Sequence, residues 1–182
     1  MKYTLSQLSN WKYIVAVFAL FAVFSFYLFP KYQARLSEAA GEQVTLLDTR
    51  FSYAADEVRL LFDKLGTEGR DIYKGVVGID MVYPLVYGIL FILILAWLLK
   101  SITRPGSQWL MLAMFPLIGV LFDYLENINT LKLLNRYPDI SAGAVAWGEK
   151  MTLLKHSFGV LSVALAALLA VVYFVKRLMH GK

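Results

Sequence analysis

Asp123, Glu126, Asn127 and Thr130 recur at i, i+3, i+4 and i+7 within the stretch Phe122-Asp123-Tyr124-Leu125-Glu126-Asn127-Ile128-Asn129-Thr130. On a helix that spacing makes one polar stripe on one face. The stripe follows directly on an apolar run opened by Trp109. Two carboxylates on a lipid-embedded helix are costly unless they face protein, water or a ligand. Two further groups belong with them: Asp80, alone in a long apolar run, and the pair Lys155-His156, with Thr152 one turn before. Paired carboxylates with a lysine and a histidine suit general acid–base chemistry. The candidate catalytic groups are therefore Asp80 and Glu126 as acid or base and Lys155 as their charge partner. Asp123, Asn127, Tyr83, Thr152 and His156 are candidate substrate-binding groups. Three carboxylates against one lysine leave a surplus of negative charge. Like charges in one site take up a proton or recruit a cation, here a metal ion, a cationic ligand group, or rim residues such as Arg70, Lys74 and Lys150. Asp80, Asp123, Glu126 and His156 suit a divalent metal by ligand type, but no spacing among them is diagnostic, so no cofactor is expected.

The elements that must position these groups are membrane helices. Of 182 residues 59% are hydrophobic and 17% charged, well outside the balance of a soluble domain. Apolar runs fall at residues 13–29, 75–99, 109–128 and 151–175. The expectation is an all-α, four-helix transmembrane bundle forming one integral membrane domain over residues 1–182. The first run is longer than a usual signal-peptide core and no small-x-small site follows it, so it reads as an uncleaved anchor closed by Pro30-Lys31. Cysteine is absent, which excludes disulfides and thiol chemistry. The net charge of +5 sits largely beside the apolar runs. It reads as a topology signal rather than a nucleic-acid surface. Lys2, Lys12, Lys100, Arg104, Lys176, Arg177 and Lys182 share one side, which places both termini in the cytoplasm.

The outer segment, residues 31–74, carries seven basic and eight acidic residues. Within it Val58, Leu61, Phe62 and Leu65 recur at helical spacing. They predict an extracytoplasmic amphipathic helix over residues 54–65, capped by Ser52 and stopped by Gly66, which lies on the membrane or caps the bundle. Pro84 has no N–H to offer the carbonyl of Asp80, so that spot combines a carboxylate with a freed backbone acceptor. Ser162, Ala166 and Ala170 form a small-residue ridge for close helix packing. Depth follows from about 1.5 Å of rise per residue. Asp80 lies about 30 Å from Lys100, Asp123 about 21 Å from Trp109, and Lys155 about 31 Å from Lys176. The hydrocarbon core is about 30 Å thick, so the polar groups of three helices form one layer near the outer boundary.

Several stretches carry a resemblance: Phe51-Ser52-Tyr53 before a short helix, Leu65-Gly66-Thr67-Glu68-Gly69-Arg70, Asp80-Met81-Val82-Tyr83-Pro84-Leu85, Phe122-Asp123-Tyr124-Leu125-Glu126-Asn127 and Thr152-Leu153-Leu154-Lys155. In these the chain resembles a group of uncharacterised bacterial four-transmembrane-helix inner-membrane proteins. The resemblance implies a bacterial inner-membrane location and no activity. The functional expectation is an outward-facing polar pocket that binds a lipid headgroup or small amphiphile, with acid–base or metal-assisted action on it left open. The alternative is a non-catalytic accessory or assembly protein whose polar layer is a structural clamp, with a membrane-protein partner. Nucleic acid is not an expected partner.

Overall fold

The computed structural model describes residue 5 and residues 7–180. Lys2 and Lys182, two of the seven basic residues in the topology argument, lie outside the described residues. Five helices dominate: α1 (Trp11–Ala40), α2 (Ala55–Asp80), α3 (Tyr83–Ile102), α4 (Leu117–Arg136) and α5 (Ala142–His180). Among the described residues there is no strand. Among the described residues four helical stretches, uninterrupted or kinked, are long and apolar enough to cross a membrane. Only 6% of the most apolar window of α1 and 11% of that of α5 is buried. Side chains such as Phe18, Phe26, Val160 and Val171 therefore point outward. In water such a surface would aggregate; in a bilayer it is the lipid face. The chain is a multi-pass membrane protein built as a helical bundle.

Pro30 does not close the first helix. Its ring would press on the carbonyl four residues back. The chain instead widens into a π turn over Phe24–Leu28, with the Phe29 N–H donating to the Phe24 carbonyl. The helix runs on to Ala40 and ends at Gly41, whose φ of 70° is the left-handed conformation that suits glycine at a helix end.

The amphipathic segment forms as its spacing requires, and Val58, Leu61, Phe62 and Leu65 are all buried. It packs onto the other helices at one end of the bundle. Its apolar face packs with Leu36, Leu47, Tyr73, Leu133 and Val145 into a core at the end away from the basic turns, called the outer core below for the side expected of it. Ser52 is not its cap. The helix begins after Ala54, whose N–H donates to the Glu57 carboxylate at 2.7 Å, while Ser52 donates instead to Glu149. Gly66 breaks the regular geometry with φ 60° and ψ −167°, and Arg70 donates to the Phe62 carbonyl left open there, at 2.9 Å.

The second span is not continuous. It breaks at Met81-Val82, between α2 and α3, where Pro84 forbids the next helical bond. The third span opens as a 3-10 helix (Gln108–Met114) capped by Ser107 and becomes α4 only after Pro116. The turn before α5 covers residues 137–141, so α5 starts well before the apolar run at residue 151. A second, inner core joins Leu95, Ala96, Leu99, Leu110 and Ala113 to Leu165, Ala166 and Leu169 of α5. Lys100 donates to the Ser9 carbonyl and Lys176 to the Ile102 carbonyl, the latter at 3.0 Å. The start of α1, the end of α3 and the end of α5 thus share one end of the molecule.

Candidate functional site

Between the two apolar cores lies the polar layer. All four members of the α4 stripe, Asp123, Glu126, Asn127 and Thr130, are buried. The helix turns its polar face inward because three other helices offer partners there. Lys155 of α5 is the central one. Its ammonium nitrogen lies 2.5 Å from Glu126 Oε2 and 3.4 Å from Asp123 Oδ1. Glu126 is fully shielded from solvent, and among the described residues its Oε1 has no hydrogen-bond partner. Such a charge partner offsets part of the cost of burying a carboxylate. Tyr87 of α3 donates to Asp123 Oδ2 at 2.8 Å.

The break in the second span is sealed from α4. Asn127 Nδ2 donates to the Asp80 carbonyl at 3.1 Å, the acceptor that Pro84 leaves open. Tyr124 donates to the next carbonyl, that of Met81, at 3.1 Å. Thr152 bonds the Gly148 carbonyl and, at 3.3 Å, the Tyr53 hydroxyl. Burial pushes the Tyr53 phenol up to about 12, so it stays neutral. Tyr83 shares a 3.0 Å hydrogen bond with Ser25 of α1.

One member of the layer comes from outside the helices. The loop after α1 folds back through a short 3-10 turn (Leu47–Thr49), held where the Leu47 N–H donates to Tyr73 Oη at 3.1 Å. This carries Asp48 over the layer. His156 Nε2 lies 3.1 Å from the Asp48 carbonyl, and its ring packs 5.2 Å from Phe51. Asp48 Oδ1 is buried without a hydrogen-bond partner. Burial raises the Asp48 carboxyl above the usual carboxylate range, the nearby Lys155 ammonium opposing that shift. Sequence spacing singles out the other members, but Asp48 is one of eight acids in the outer segment and belongs to no helical pattern. Its one signal is its place directly behind the apolar pair Leu46-Leu47.

In front of the layer is a cavity of about 1100 Å³. Asp48, Asp80, Asp123, Lys155 and His156 line its outer end. Towards the inner end the lining turns apolar on each helix: from Gln33 to Phe21 on α1, from Tyr83 to Phe91 on α3, from Lys155 to Ala164 on α5. The last of these stretches spans roughly 14 Å. α1 packs along α2 and α3, and α5 along α3 and α4, but α1 and α5 make no extended contact. The cavity lies between them, and Val160 and Val163 on its α5 wall are largely exposed.

Of the residues singled out from the sequence, Asp80, Tyr83, Asp123, Lys155 and His156 line this cavity. Glu126, Asn127 and Thr152 lie behind it, in the helix contacts. Asp48 and Asp80 also flank a second void of about 10 Å³ with Tyr73, Asn127 and Thr130, room for about one water. Among the described residues no group of three histidine, aspartate or glutamate side chains is arranged to hold a metal ion. No protein-family model, no curated protein and no solved structure matches the chain.

Proposed function

We propose that this membrane protein binds an amphiphile. The head sits against the polar layer, the tail lies along the apolar part of the cavity, and entry is sideways from the bilayer between α1 and α5. One observation carries the reading: a single cavity changes from carboxylates, lysine and histidine at one end to phenylalanine, valine and alanine at the other. Ligand sites are concave and mostly apolar with a few convergent polar groups, and the order of polarity here is that of a lipid in a leaflet. The layer then has two halves with different work. Glu126, Asn127 and Thr152 hold the helices together behind the cavity. Asp80, Asp123, Tyr83, Lys155 and His156 face the ligand, with Asp48 above them. If the bound molecule is also transformed, Asp80 is the group placed to move a proton, with Lys155 holding the neighbouring charge. The resemblance and the shared basic end favour a bacterial inner membrane with the termini cytoplasmic and the cavity's polar end outward.

Gly159 supplies the test. It lines the cavity, and a Cβ there would meet no atom within 4 Å. Gly159→Leu should therefore fill the tail channel while leaving the bundle folded. Retention of co-purified lipid and of added dodecyl amphiphiles, followed by native mass spectrometry, should fall sharply at unchanged melting temperature. Undiminished binding would sink the proposal. The clamp reading is favoured by the closed contact of Lys155 with Glu126 and Asp123; it alone predicts that no variant of a cavity-lining residue changes anything but stability.

A further inference from the structure

The charge at the head end is unbalanced in a definite direction. Asp48, Asp80, Asp123 and Glu126 meet one lysine. Lys155 lies within ion-pair distance of Glu126 and Asp123. Among the described residues no cationic side chain comes within 4 Å of the carboxylates of Asp48 or Asp80. The basic residues nearest in sequence are engaged elsewhere. Lys74 pairs with Asp71 at 2.9 Å. Arg70 bonds the Phe62 carbonyl and stacks 4.6 Å over the Tyr137 ring, and Arg50 bonds the Thr45 carbonyl.

Three further observations show what the two carboxylates are aimed at. Both line the cavity. Asp48 Oδ1 is buried and has no donor, which is uncommon for a buried acceptor and calls for an explanation. The cavity wall beside them is aromatic. Tyr83 packs among these rings, with Phe29 edge-on at 5.0 Å, Tyr87 at 5.4 Å, and Phe21 and Phe24 stacked at 5.7 Å each. Aromatic faces beside carboxylates attract ammonium groups and offer an anionic head nothing.

We infer that the amphiphile's head carries an ammonium group, held between Asp48 and Asp80 against the Tyr83 aromatic wall. This deepens the amphiphile reading above and rests on it. An anionic head would face four acidic side chains with one lysine among them, and a neutral head would bring no charge to the two acids that Lys155 does not reach. Lys155 is not the head's partner, since its ammonium is already shared between Glu126 and Asp123.

The test compares three C12 probes in neutral maltoside micelles: dodecyltrimethylammonium, dodecyl sulfate and dodecyl glucoside, with tetramethylammonium as a head without a tail. Native mass spectrometry titrations give the apparent affinities for wild type, Asp48→Asn and Asp80→Asn. Dodecyltrimethylammonium should bind roughly tenfold or more tightly than dodecyl glucoside, and each Asn variant should shrink that ratio. Equal binding of the cationic and neutral probes, or tighter binding of the sulfate, would overturn the ammonium head and leave the amphiphile reading standing. Tetramethylammonium binding as tightly as its dodecyl form would show a free amine as the ligand and overturn the proposal. No binding of any C12 probe would remove both readings. The wild-type ratio decides the sign even if Asp80→Asn fails to fold, and Asp48→Asn changes a loop side chain whose backbone contacts to His156 and whose neighbour's bond to Tyr73 are kept.

Discussion

Removing the ammonium of Lys155 would leave two buried carboxylates facing the space it filled. Breaking a buried pair from one side costs about 3–5 kcal/mol, because the stranded charge keeps its desolvation penalty. Lys155→Met should lose stability on that scale in denaturant unfolding in detergent. Adding Glu126→Gln should restore a large part of the loss, a coupling that a double-mutant cycle reads directly; purely additive effects would show that the pair is not the anchor. Asp48 yields a pH prediction. Its carboxyl is raised by burial, so between its unfolded and folded values the folded protein holds a proton that the unfolded chain has released. Stability therefore falls as pH rises through that window, and it is fullest below it. As pH rises from the ordinary carboxylate range towards neutral, melting temperatures should decline less in Asp48→Asn than in wild type. The two residues differ in how legible they are. Lys155 and the α4 stripe lie on regular helices, where spacing fixes the face. Asp48 reaches the layer only because a loop turns back, and no periodicity records that return.

Close approach between helices is set by glycines whose role spacing alone does not show. A Cβ on Gly88 would lie 2.7 Å from Val120 Cγ2, so α3 and α4 touch there across the missing side chain. Gly88→Ala should cost about 1–3 kcal/mol by overpacking, seen as a lower unfolding midpoint. Gly66 is bound by backbone conformation instead, since φ 60° with ψ −167° is accessible almost only to glycine. Gly66→Ala should destabilise by about 1–3 kcal/mol although a Cβ there meets nothing, a result that separates strain from crowding. Element boundaries were legible where one local rule acts alone. The 55–65 helix follows its apolar spacing, and the break before α3 follows from Pro84. Pro30 misleads because the same local rule has a second solution. The π turn relieves the clash, and nothing in residues 24–28 announces it. Ser52 misleads as a cap because Glu149, 97 residues on, holds its hydroxyl.

At the scale of the molecule, hydropathy makes the four spans plain, while their packing comes from contacts far apart in sequence. The absence of cysteine makes orientation easy to check. Single cysteines at Lys64, in the outer cap, and at Gly106, in the basic turn, should be labelled by an impermeant thiol reagent from opposite sides of intact cells, Lys64→Cys from outside; the reverse pattern would invert the proposed topology. The π turn of α1 also joins two parts of the molecule. Before it, Phe21 lines the cavity; beyond it, Gln33 donates to the Val44 carbonyl at 2.5 Å and Leu36 is fully buried in the outer core. One residue of helix is about 100° of rotation. Deleting a single residue within 24–28 would remove the extra residue, bring back the Pro30 clash and swing Gln33 and Leu36 off their seats. The one surplus residue thus acts as a phase shifter, setting the outer cap in register with a membrane half that has a helical phase of its own.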